Sequence, residues 1–186
     1  MRNLSPNAVA IGKWQAPTFE GLCPNAINWA RMAAYIDGEG SILINPRRHR
    51  KDYSTEASGF YLRITVANTD VRLPVWCKEN FGGSYKDANT EKWYVDKNYK
   101  RAYHWGCASQ RAAWILWNCL PYFVMKREQA EIGIQLQESL NVLNRGHELS
   151  QEVVEARRLL KKRLLVLKAR GKTIMPEQQE RIEEVS

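Results

Sequence analysis

Residues 60–67, FYLRITVA, alternate throughout: Phe60, Leu62, Ile64 and Val66 fall on one side of an extended chain, Tyr61, Arg63 and Thr65 on the other. A period of two is the signature of a strand with one face in a core and one outside it. This run therefore commits the chain to a sheet covered on one side. Residues 41–45, SILIN, repeat the habit: Ile42 and Ile44 face the core, and Ser41, Leu43 and Asn45 face the other way. Between the two runs lies a basic loop, PRRHRKDYSTEASG, with Arg47, Arg48, Arg50 and Lys51. An outer face of Arg, Tyr and Thr beside such a loop fits a sheet that lies on a polyanion.

Helical segments surround these strands. Pro24 and Asn25 open the first, with Asn25 as N-cap; it runs through NAINWARMAAYI, and Gly38 and Gly40 end it. Its Ala26, Ala30, Ala33 and Ala34 give a small-residue face that another helix can approach closely. Asn68–Thr69–Asp70 caps a second helix ending at Phe81–Gly82–Gly83. Short strands follow around Ser84–Lys86 and Tyr103–Ala108, with a hairpin or extended segment between them. Ser109 caps a helix through Leu120, Pro121 breaks it, and Tyr122–Arg145 continues as another. The order is that of an α+β fold. Glu148–Arg170 reads as one basic amphipathic helix, which packs on the domain or reaches DNA backbone or a second subunit. A last short helix is expected over Pro176–Val185. This divides the chain into an irregular arm (1–23), one domain (24–145) and a basic helical extension (146–186).

Composition narrows the partner. The 186 residues carry a net charge of +8 and a pI near 9.4, which favours an anionic partner, nucleic acid above all. Cys77, Cys107 and Cys119 lie among apolar residues and read as buried thiols of a reducing compartment; no cysteine pair has zinc spacing. No apolar run is long enough to span a membrane, and the N-terminus has no signal-peptide core. An intracellular, DNA-containing compartment is the expectation, with no secretion and no membrane partner.

The segment MAAYIDGEGS, residues 32–41, sets two carboxylates, Asp37 and Glu39, at the end of the small-residue helix. An EF-hand is excluded, because its ligand spacing is absent. The ordered set of alanine-rich helix, D-G-E-G-S, alternating strand and basic loop resembles the LAGLIDADG homing endonucleases. Met32 stands at the first Leu of that motif, Ala33 matches Ala, Ala34 replaces Gly, and Tyr35 replaces the second Leu. Ile36 and Asp37 match, Gly38 stands for Ala, Glu39 for the final Asp, and Gly40 closes it. Asn68–Thr69–Asp70, Phe81–Gly82–Gly83 and PYFVMKREQA with Lys126 resemble further segments of the family, in order, over residues 25–140.

The resemblance implies a fold, the αββαββα saddle with additional C-terminal helices. It also implies a site-specific double-strand DNA endonuclease serving the mobility of an intron or free-standing gene. One motif copy implies a homodimer on a long, pseudo-palindromic target. Ala30, Ala33, Ala34 and Asp37 are then expected at the dimer interface, Asp37 in a structural part at the helix ends. Glu39 and the Gly38 carbonyl are expected to hold Mg²⁺, with Mn²⁺ or Ca²⁺ fitting the same site. Lys126 and Asn68 complete the catalytic set. Ala67 falls where the family has a water-positioning Gln, so that role is lost or moved. Ser41, Asn45, Tyr61, Arg63 and Thr65 are expected to meet DNA, with Arg47, Arg48, Arg50, Lys51, Arg72, Lys97, Lys100 and Arg101. The alternatives are an RNA-binding intron maturase, whose partner is intron RNA, a non-catalytic DNA-binding regulator of the same fold, and a basic structural protein with an accidental motif.

Overall fold

Among the described residues four antiparallel strands form a sheet in the order β1-β2-β4-β3. They are β1 (Gly40–Pro46), β2 (Phe60–Asn68), β3 (Ser84–Asp87) and β4 (Tyr103–Ala108). A computed structural model describes residues 18–46, 59–88, 100–141 and 150–169 of the protein. Among the described residues five α-helices accompany the sheet: α1 (Ala26–Glu39), α2 (Arg72–Phe81), α3 (Ser109–Cys119), α4 (Arg127–Asn141) and α5 (Gln151–Ala169).

The alternation in the strands decides which way the sheet faces. Ile42, Ile44, Phe60, Leu62, Ile64, Val66, Trp105 and Cys107 are buried in one core with residues of α1, α3 and α4. The register aligns the opposite face as well: Ser41 lies across from Thr65, Leu43 from Arg63 and Asn45 from Tyr61, while Thr65 lies across from Gly106 and Ala67 from His104. The buried Trp105 donates its indole N–H to the Gly82 carbonyl at 2.8 Å, so the apolar core holds no stranded donor there. Helix α4 crosses close above the sheet at Gly133, where a Cβ would stand 2.8 Å from Leu62 Cδ1. Helix α5 packs on α4 and β1 and contributes Leu164 to the core.

Cys77, Cys107 and Cys119 are buried free thiols, as the sequence implies. Burial pushes the thiols of Cys77 and Cys107 up to about 12, leaving them unreactive at neutral pH.

Several expectations change. Gly38 does not end α1: the helix continues to Glu39, and Gly40 donates the last helical N–H bond to the Ile36 carbonyl while its own backbone turns extended. Only glycine fits at 40, because a Cβ there would sit 2.6 Å from Ile36 Cα. Asn25 caps the start as expected, its side chain accepting from the Asn28 N–H at 2.9 Å. The helix expected from Tyr122 begins at Arg127. Leu120–Tyr122 is a single 3₁₀ turn around Pro121, and the next residues form a loop held by a side chain from α1. Ser109 is the first residue of α3 rather than its cap, and takes φ +55° as β4 turns directly into the helix. The hairpin expected between β3 and β4 and the helix over Pro176–Val185 lie mostly or wholly outside the described residues.

Candidate functional site

The end of α1 is where the chemistry gathers. Asp37 is 7% exposed, and its carboxylate accepts backbone N–H bonds from Val124 (2.8 Å), Met125 (3.3 Å) and Lys126 (2.9 Å). The motif's first carboxylate thus organises the start of α4 within its own chain. In this chain Asp37 is buried, and its carboxylate has a structural part at the end of α1. Lys126 returns the favour: its ammonium donates to the carbonyls of Ile36 (2.7 Å), Asp37 (2.8 Å) and Gly40 (2.8 Å). All three of its protons are engaged at the negative end of the helix. Burial lowers the Lys126 pKa from the usual lysine range, and Asp37 and Glu39 pull it back up. Lys126 therefore reaches the expected end of α1, but as a clamp on the turn that carries Glu39.

Glu39 closes α1 with its side chain exposed, and among the described residues no hydrogen bond or ion pair engages its carboxylate. Also among the described residues, no three His, Cys, Asp or Glu side chains gather into a metal site. The donors offered to a cation are the Glu39 carboxylate and the Gly38 carbonyl, which Lys126 does not take. Both are hard oxygens. They suit Mg²⁺, which keeps several waters and takes one or two carboxylates together with substrate phosphate oxygens.

The outward face of α1 differs from the expected one by a residue. Ala33 is 0% exposed and belongs to the chain's own core, so it cannot touch a second subunit. Ala34 and Gly38 are exposed, Ala30 is half-exposed, and a Cβ on Gly38 would meet nothing within 4 Å. Ala30, Ala34 and Gly38 thus form a bare small-residue stripe at four-residue spacing. Exposed apolar groups extend it: Ile27 (62%) on α1, and Val124 (89%) and Met125 (67%) on the loop bound by Asp37.

The outer sheet face carries Ser41, Asn45, Tyr61, Arg63 and Thr65 together, as their alternation requires. Arg63 is exposed and lies 3.7 Å from where a Cβ on Gly106 would stand. The Asn45 amide donates to the Tyr61 hydroxyl at 3.4 Å. Lys86 and His104, side by side on β3 and β4, extend the face with polar groups that alternation in so short a strand as β3 does not flag. A cavity of about 600 Å³ opens beside Arg63 and Arg111.

Other expected contacts are already partnered. Asp70 grips Arg72, which donates from Nε at 2.9 and 3.0 Å and from a terminal nitrogen at 2.5 Å. That guanidinium holds the Asp70 carboxyl down at about 2. Asn68 accepts from the Asp70 N–H at 2.8 Å, so its side-chain oxygen serves the β2–α2 turn. Arg101 pairs with Asp87 at 2.6 Å, and Lys100 is exposed. The Ser41 hydroxyl accepts from Lys168 of α5 at 2.9 Å, a partner invisible to local pattern. Arg47, Arg48, Arg50, Lys51 and Lys97 lie outside the described residues.

No family model matches the sequence, and no curated protein is similar to it. Solved structures are. The homing endonuclease I-CvuI, in complex with its target in the presence of calcium, is 19% identical over 86% of this chain and 95% of its own, with a TM-score of 0.59. The archaeal intron-encoded homing endonuclease I-Vdi141I, complexed with DNA, is 12% identical over 86% of this chain and 96% of its own, also at 0.59. The LAGLIDADG homing endonuclease I-SmaMI, bound to uncleaved DNA with calcium ions, is 22% identical over 87% of this chain but 50% of its own, at 0.54. The chain has the LAGLIDADG homing-endonuclease fold, and the resemblance read from its motif holds at that level.

Proposed function

We propose that the protein is a site-specific, divalent-metal-dependent DNA endonuclease that works as a homodimer on a long pseudo-palindromic duplex. The observation that carries this reading is the exposed Glu39 carboxylate at the end of a helix whose outward face is Ala30, Ala34 and Gly38. Two such helices packed across a two-fold axis bring two Glu39 side chains together, one for each DNA strand. Val124 and Met125 flank the stripe and are covered by the same contact. The coverage figures support a unit used in pairs, since the chain spans nearly all of I-CvuI and half of I-SmaMI.

Each residue then has a part. Glu39 and the Gly38 carbonyl would hold Mg²⁺, and the bound ion would supply charge neutralisation at the scissile phosphate and acidify water there. Lys126 fixes the Glu39 turn and sets a positive charge beside it, while Asp37 fixes the loop that carries Lys126. Arg63, Tyr61, Thr65 and Asn45 read base edges from the outer face of the sheet.

The test is cleavage of a randomised palindromic DNA library by wild type and Glu39→Gln, with Mg²⁺ or with EDTA. Cutting at one enriched site, abolished by EDTA and by the substitution, is the expected result. Selective binding without cutting by wild type would leave a DNA-binding regulator instead.

A further inference from the structure

The C-terminal helix reaches the same end of the sheet as Glu39. Lys161 of α5 sits over the Phe60 ring, 6.0 Å from its centre, at the end of the sheet where Phe60 pairs with Pro46. Seven residues later, the Lys168 ammonium donates to the Ser41 hydroxyl at 2.9 Å and the Ile42 carbonyl at 3.4 Å, at the opposite end. Helix α5 therefore runs along the edge strand β1 and aims its last turn at Gly40–Ser41. Its course is fixed from within. Val154 and Leu164 are buried, and the buried Arg157 donates to the Ser139 carbonyl at 2.7 Å and to its hydroxyl at 3.3 Å.

This adds a second cation beside the turn where Lys126 binds the Gly40 carbonyl. Ser41 faces outward, opposite Thr65, and follows Glu39 by two residues, about 7 Å of extended chain. A duplex on the outer face with a phosphate at Glu39 carries its backbone past this end of β1. A lysine ammonium on a flexible stem binds phosphate as a point charge and can exchange one oxygen acceptor for another. Of the bonds from Lys168 to β1, the one to the Ser41 hydroxyl is the shorter and the one to the Ile42 carbonyl the longer.

We infer that Lys168 is a phosphate-binding residue of the endonuclease site. It waits on the Ser41 hydroxyl and transfers to a phosphate oxygen of the DNA strand bound at Glu39. The inference rests on the endonuclease reading. It gives the C-terminal extension a direct part in substrate binding.

The test uses the full-length chain and the target recovered from the library. Single-turnover cleavage, the salt dependence of binding and the melting midpoint are measured for Lys168→Met, Lys168→Arg and Ser41→Ala. Lys168→Met should slow cleavage about 10–100-fold and reduce the slope of log K against log salt by about one unit per subunit. Lys168→Arg should restore most of both, and Ser41→Ala should leave the slope unchanged. The slope is the decisive readout, because losing an edge contact does not alter the number of phosphates neutralised. Wild-type cleavage and slope in Lys168→Met would overturn the inference and leave the endonuclease reading standing. A wild type that neither binds nor cuts DNA would overturn both.

Discussion

Asp37 and Glu39 are two carboxylates two residues apart on one helix, and their surroundings are opposite. Asp37 is buried and accepts three backbone N–H bonds; Glu39 is exposed, and its carboxylate makes no hydrogen bond or ion pair among the described residues. Two residues along an α-helix turn it by about 200°. One carboxylate must therefore face the chain's own core while the other faces out. Half that rotation, about 100° for one residue, separates Ala33, which is in the core, from Ala34, which is on the surface. Helix α1 is thus divided lengthwise into a side buried in the chain's own core and a side left exposed.

The largest separation between the two sides should appear on replacing the acids. Glu39→Gln should lower double-strand cleavage on the order of 10³-fold, about 4 kcal/mol of barrier. Its denaturant midpoint should stay within about 0.5 kcal/mol of wild type, since an exposed side chain is lost. Asp37→Ala should do the reverse in kind. Leaving buried N–H groups unpaired should cost about 3 kcal/mol in urea unfolding, with cleavage falling only as the site loosens.

The two alanines should divide more gently. Ala34→Leu on the outward stripe should weaken dimerisation about 10–100-fold by sedimentation, while the melting midpoint of the separated subunit stays put. Ala33→Leu should instead overpack the core by about 1–3 kcal/mol, visible as a lower melting midpoint before any change in dimerisation. The smallest effect concerns the sheet. Arg63→Ala should relax base preference at one position in each half-site by about 1–3 kcal/mol, read from the cleaved library. Unchanged base preference there would place Arg63 on a phosphate.

Much of this was legible because strands announce their faces. The alternation of Phe60, Leu62, Ile64 and Val66 is matched by burial, and Tyr61, Arg63 and Thr65 lie opposite as expected. Helix faces are harder to read. Ala30, Ala33 and Ala34 all fit a small stripe at three-to-four spacing, and only the position of the core decides which of them turns inward. The loop before α4 was hidden for a related reason. PYFVMKREQ has no glycine to stop a helix, and its break comes from a carboxylate nearly ninety residues earlier in the chain. Long-range pairs are similarly silent in sequence. Nothing near Ser41 announces Lys168, and nothing near Lys126 announces the three carbonyls it binds. Asn68–Thr69–Asp70 was visible as a helix start, but the N-cap of α2 is Val71, and the grip of Asp70 on Arg72 was not legible.

The claim that α1 presents Glu39 in pairs is tested most directly by mixing subunits. Wild type and Glu39→Gln are co-refolded in varying ratios, and double-strand cleavage of the selected target is measured at each ratio. Cleavage falling as the square of the wild-type fraction, with single-strand nicks from the mixed dimers, is the predicted result. A fall in direct proportion to the wild-type fraction would contradict it, because each chain would then cut both strands alone.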